Sequence, residues 1–273
     1  MKYPTFGLLL AVLVSSTAQA AGNSLNPILD DTWNFRLGAT YLDAKGTFSS
    51  TIQGEPTDKL CTDDLNIADG NWNPYFGARW RFTDRWRATF NYFGMDNNGS
   101  VRKPFDRLIF GDIRATGFLE VETSFKTDFY VAQVGYSFLK NERAELGLGG
   151  GLHVVNFDTA LKVRGKINGK SGSVKSDSAD LTVPLPNILG YGVYAFTPKL
   201  SLDGGIGWFG LDYDQYSGNL VTVTANLEYR ITDNIGLGVG YNYVDMDLEV
   251  EDNRTDTYDL QYKGPALYIS AGF

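Results

Sequence analysis

The sequence predicts an all-β fold: a transmembrane antiparallel up-and-down β-barrel of about ten strands, with its apolar face turned outward. Three observations predict it. Apolar and small or polar residues alternate with period two, a hairpin motif occurs four times, and aromatic side chains gather in two belts. Eight or twelve strands are also compatible with the pattern.

The alternation is plainest in Ile235-Gly236-Leu237-Gly238-Val239-Gly240-Tyr241-Asn242-Tyr243, in Trp33 to Tyr41, and in Val221 to Arg230. A period of two is the signature of a strand with two unlike faces. The hairpin motif is RFTDRWRATFNYF (Arg81 to Phe93), which returns as YRITDNIGLGVGYNYV (Tyr229 to Val244). Looser copies run from Tyr136 to Val154 and from Tyr194 to Phe209, and the turns centre near Asp84, Asn141, Pro198 and Asp233. Thr-Asp, Lys-Asn and Thr-Pro favour tight turns, so each copy reads as strand, turn, strand.

Strands are expected near 33–45, 72–82, 86–96, 122–138, 144–160, 184–196, 200–212, 220–230, 235–249 and 257–273. Four short turns alternate with longer connections near 46–71, 97–121, 161–183, 213–219 and 250–256. The Gly/Ser/Lys-rich segment 161–183 is expected to be a mobile loop.

A soluble sandwich also alternates, with its apolar face inward. The aromatics argue against it. Trp33, Phe35, Trp80, Phe82, Trp86, Tyr136, Phe138, Phe196 and Tyr229 lie by the short turns or the start of the first strand. Tyr41, Tyr92, Tyr191, Trp208, Tyr241 and Tyr243 lie toward the long connections. Eight residues of tilted strand, as from Trp33 to Tyr41, cover roughly 20 Å, close to the ~25 Å apolar band of a membrane barrel. Glycines on the other parity, such as Gly147, Gly149 and Gly151, weaken a solvated strand but leave room inside a narrow barrel. Leu237 is therefore expected to face lipid, and Gly238 the lumen, where a serine is expected to be tolerated.

The first twenty residues read as an export signal. Lys2 supplies the charge, Phe6 to Val14 the short apolar core, and Ala18-Gln19-Ala20 the cleavage site, so that cleavage follows Ala20. The expected organisation is signal peptide 1–20, N-terminal leader 21–32 and barrel 33–273. The formal net charge of -8 argues against nucleic acid as a partner. The single Cys61 excludes an intramolecular disulfide framework.

Alternating strands, a signal peptide, short turns such as FTDRWR and YRITDNI, and the final PALYISAGF ending in Phe273 resemble Gram-negative outer-membrane β-barrel proteins. The small-barrel families of the OmpA-like and OmpW-like kind are the most similar, although those have eight strands. The resemblance implies a bacterial outer-membrane location and contact with outer-membrane lipid and lipopolysaccharide. It also implies that Phe273 is read by the barrel-assembly machinery.

On the inward parity stand Arg36, Arg79, Arg81, Arg87 and Arg230, facing Glu145, Asp203 and Glu228, with His153. They read either as an ion-pair network that fills a narrow lumen, since buried charges must be paired, or as a pore lining that sets ion preference. His153 is the sole histidine. Two enzyme classes on this scaffold use a histidine, the lipid A deacylases with serine and the omptin-type proteases with aspartate. Asp158, Asp212, Asp214, Asp245 and Asp247 are expected near the rim, but no Ser-His or Asp-His spacing singles out a catalytic pair. No catalytic, metal or cofactor site is expected. The run Gly147 to Gly151 sits within a strand with no helix after it, unlike a phosphate loop. The acidic run Asp245 to Asp256 lacks the calcium-loop spacing. The expectation is a non-enzymatic structural protein or narrow passive pore, with surface-loop binding or adhesion as the alternative and an omptin-like or deacylase-like hydrolase behind it.

Overall fold

The computed structural model describes residues 24–52, 55–56, 60–61, 70–110, 113–167, 170–213, 216–251 and 255–273. The expected signal peptide and cleavage site lie outside the described residues. Ten long strands follow in chain order: β1 Trp33–Ile52, β2 Asn71–Arg81, β3 Trp86–Phe110, β4 Ile113–Lys140, β5 Ala144–Ile167, β6 Lys170–Ala195, β7 Leu200–Tyr213, β8 Tyr216–Arg230, β9 Ile235–Glu251 and β10 Thr255–Gly272. Each pairs antiparallel with the next, and β10 returns to pair with β1 from Asn34↔Gly272 to Thr51↔Thr255. The sheet is a closed, membrane-spanning, up-and-down barrel. Two short strands, Glu55–Pro56 and Leu60–Cys61, pair with β1; the Cys61 side chain lies outside the described residues.

The recurring motif is explained at its turns. Thr83 Oγ1 accepts from the backbone N–H of Trp86 at 3.0 Å, Thr197 Oγ1 from Leu200 at 2.9 Å and Thr232 Oγ1 from Ile235 at 3.0 Å. In the remaining copy Asn141 Oδ1 accepts from both Arg143 and Ala144 at 2.9 Å. A short polar side chain thus takes up N–H groups that the turn frees, which is why Thr or Asn opens each turn.

Parity assigns the two faces as expected within the membrane band. Leu37, Leu148, Ile206, Val239 and Ile269 are each at least half exposed on the outer face, while their sequence neighbours point inward. The nine aromatics expected near the short turns are all exposed, and several touch around the ring. Trp33 stacks on Trp80 with centroids 5.3 Å apart, and Trp86 meets Tyr136 at 5.2 Å. The upper belt needs one correction. Tyr41, Tyr92, Trp208, Tyr241 and Tyr243 have the outward parity, but Tyr191 points inward and is 5% exposed.

The inward glycines are notches for tyrosines. A Cβ at Gly135 or Gly147 would strike the ring of Tyr191, and one at Gly238 would strike the ring of Tyr268. The expected tolerance of serine at Gly238 is therefore corrected: the position does face the lumen, but an aromatic ring already occupies the space above it.

Beyond the membrane band the strands run on. The connections expected over 97–121 and 161–183 are largely strand, since β3 to β6 have 25, 28, 24 and 26 residues. At ~3.3 Å per residue and ~40° tilt, the longest covers roughly 70 Å along the axis, well beyond a ~25 Å apolar band. The chemistry of the faces reverses there. On β9 the inward Val244, Met246 and Leu248 are buried while Asp245 and Asp247 face out, as in a water-soluble sheet.

Leu237→Arg should cost up to ~2–4 kcal/mol, since the bilayer cannot solvate a charge on the lipid face. Gly238→Ser should impair assembly as well, and replacing Tyr268 by a smaller residue should relieve it. Nitroxide labels at 237 and 239 in reconstituted vesicles should be more accessible to lipid-dissolved oxygen than labels at 224 and 242; the opposite phase would contradict the assigned faces.

Candidate functional site

Every sequence-predicted charged lumen residue lies inside the barrel near its short-turn end. Glu145 is fully buried and receives Arg81 bidentately, Nη2 at 2.6 Å and Nη1 at 3.2 Å. Arg87 stands 3.7 Å from the same carboxylate and lies over the Tyr191 ring at 3.4 Å. Arg36 donates to both oxygens of Asp203 and reaches Glu228 at 3.3 Å. Glu228 also holds Arg230 Nε at 2.9 Å. Planar guanidinium groups suit this packing, because each engages carboxylates in a fixed fork.

The segment assigned as a leader does more than lead. Residues 24–31 fold under the barrel and fill its short-turn mouth. Asn26 caps a short 3-10 helix, Pro27–Leu29, by accepting from Ile28 N–H at 3.0 Å, and it donates to Thr197 O at 3.2 Å. Ile28 and Leu29 are fully buried against Val193 and Ala195. The carboxylate of Asp31 meets Arg230 and receives Asn34 at 3.3 Å, while Arg79 donates to Ile28 O at 2.9 Å. Asp31 is thus an ion-pair partner that the strand pattern did not reveal. The signal was Asn26-Pro27 before two apolar residues, an N-cap followed by proline at the first helical position.

Above this floor lies a cavity of about 110 Å³, walled by amides and hydroxyls including Gln133, Asn187, Thr222 and Asn242. His153 lines it, 3% exposed, beside Asn187; its Nδ1 has no hydrogen-bond partner among the described residues. No described carboxylate forms an ion pair with it. Asp158, Asp245 and Asp247 lie on the outward parity, away from His153, and the Asp212 side chain and Asp214 lie outside the described residues. No metal-holding group of His, Cys, Asp and Glu occurs among the described residues.

The cavity is roofed by apolar side chains that meet across the lumen. Phe93 stacks on Phe129 of the neighbouring strand with centroids 4.7 Å apart, and Phe129 meets Tyr262 edge-on across the lumen at 5.2 Å. Leu42, Met95, Leu220, Met246 and Leu260 fill in around them, each about 1% exposed. Phe273 sits at the opposite end of the seam, its carbonyl accepting from Thr32 at 2.6 Å and Trp33 at 3.0 Å.

No protein-family model matches the sequence, and no curated protein matches it. Among solved structures, the outer membrane protease OmpT from Escherichia coli has a TM-score of 0.63 at 14% identity, covering 88% of this chain and 96% of that one. The toluene transporter TodX of Pseudomonas putida (TM-score 0.37, 8% identity, 91% and 92% covered) and Neisserial surface protein A (0.31, 13%, 89% and 97%) are also similar. The likeness to OmpT shows the fold, that of a Gram-negative outer-membrane β-barrel; proteolysis is a property of OmpT.

Glu145→Gln should destabilise the barrel by about 3–5 kcal/mol, because it leaves Arg81 and Arg87 buried without a full counter-charge. Asp84→Asn should cost less than about 1 kcal/mol, although Asp84 receives Lys140 at 2.6 Å, since its side chain is 75% exposed. The hydrogen bond from Lys140 holds the Asp84 carboxyl below its usual range. That small contribution is present at neutral pH and lost as pH falls through the folded-state value. Urea unfolding of reconstituted protein at pH 7 and pH 3 checks both statements.

Proposed function

We propose that this chain is a non-enzymatic barrel of the bacterial outer membrane with a structural role, its lumen closed to solutes. The observation that carries this reading is closure at two levels. Ion pairs and the 24–31 segment fill the short-turn end, and above them Phe129, stacked on Phe93 of the neighbouring strand, meets Tyr262 across the lumen. An outer face of Leu, Ile and Val between aromatic belts supports contact with outer-membrane lipid, including lipopolysaccharide in the outer leaflet. In planar bilayers the reconstituted protein should give no sustained conductance, and proteoliposomes should not swell in small sugars. Steady channel currents would favour the narrow-pore reading instead.

The absence of catalysis is part of the same proposal. His153 is buried between an apolar roof and a charged floor, without a described carboxylate or serine hydroxyl bonded to it. Peptide and lipid A substrates should show no turnover that His153→Ala abolishes. A second reading, surface binding, draws support from the length of β3 to β6, whose ends stand well clear of the lipid. Shortening the β3–β4 and β5–β6 hairpins should leave assembly intact, and a loss of cell or matrix adhesion on shortening would favour that reading.

A further inference from the structure

The lumen floor does not balance its own charge. Among the described residues it holds five arginines, Arg36, Arg79, Arg81, Arg87 and Arg230, against four carboxylates, Asp31, Glu145, Asp203 and Glu228. Arginine cannot shed its proton inside a protein, and protonating a carboxylate would only widen the excess. The surplus is localised. Arg79 forms no ion pair with a described carboxylate and donates instead to a neutral carbonyl, Ile28 O, at 2.9 Å. Arg87 has only its 3.7 Å approach to Glu145 and the Tyr191 ring face, which attracts a cation without neutralising it.

These two arginines and Arg36 line one cavity of about 50 Å³, together with Thr89, Asn91 and Asp203. The Nε–H groups of Arg36, Arg79 and Arg87 are all buried without a hydrogen-bond acceptor among the described residues, and each arginine is less than 9% exposed. Asp203 is already committed to Arg36 and to Asn226 at 3.2 Å. A single water needs only about 10–15 Å³ of such space, so the cavity has room for one small ion together with a little water. Water can accept the free N–H groups but cannot cancel a buried net charge, which is costly unless paired.

We propose that the cavity between Arg36, Arg79 and Arg87 binds one small monovalent anion of chloride size, which completes the charge balance of the lumen floor. The anion is a structural counter-ion, and the proposal holds whether or not the barrel conducts. A carboxylate built into the cavity should replace it, and Asn91→Asp places one there.

Two measurements test this. In crystals of the full chain grown in bromide, an anomalous peak should lie between the three guanidinium groups; its absence at molar bromide overturns the proposal. In detergent, exchanging gluconate for chloride at constant ionic strength should raise the wild-type melting temperature and then saturate. Nitrate should act like chloride, and sulfate should not. Asn91→Asp should melt above wild type in gluconate and show no further rise with chloride. A chloride response in Asn91→Asp equal to that of wild type overturns the assignment. Should that variant fail to assemble, the bromide peak in the wild-type crystal decides alone.

Discussion

The constraint on which this structure depends is that lipid offers no hydrogen bonds to a peptide group. An open sheet in the bilayer would leave a row of bare N–H and C=O groups on each edge. The pairing of β1 with β10 removes both edges at once, and Phe273 extends it by exchanging backbone hydrogen bonds with Trp33. The other features follow from that closure. Once the ring is shut, its diameter is fixed by strand number and tilt, and the interior must be filled by whatever the inward parity supplies.

The interior is filled in two chemically distinct ways. Near the short turns it is ionic, with arginine forks on carboxylates and the rings of Tyr191 and Tyr268 lying in glycine notches. Farther out it is apolar, with phenylalanines, methionines and leucines meeting across the lumen. This division follows the surroundings. Inside the membrane band the apolar residues are spent on the lipid face, so the inward positions are left to polar ones. Beyond the band the outer face meets water, the apolar residues turn inward, and the barrel gains an ordinary hydrophobic core.

Much of the barrel was legible in the sequence because lipid and lumen impose period two on every strand they share. Trp33, Leu37 and Val239 could be placed outward, and Arg36, Arg81 and Glu228 inward, by parity alone. The turns were legible because Thr83, Asn141, Thr197 and Thr232 do local chemistry that needs no tertiary context. What was not legible depended on how the strands pair and on side chains that meet between them. Nothing near Tyr191 in the chain says that Gly135 and Gly147 make a slot for its ring. The 161–183 segment reads as a loop because its Gly, Ser and Lys content suits one, yet its two halves pair with each other as the tip of the β5–β6 hairpin, with β4 alongside. Asp31 escaped because its partner Arg230 lies 199 positions away.

The segment under the barrel has a further consequence for the history of the fold. Its neighbours come from around the ring: Glu142 after β4, whose carbonyl accepts from Leu25; Thr197 after β6; Arg79 on β2; and Arg230 on β8. That receptor does not exist until those strands have been drawn into one circle. The first described residues of the chain can therefore be fully seated only where those strands already stand in one circle.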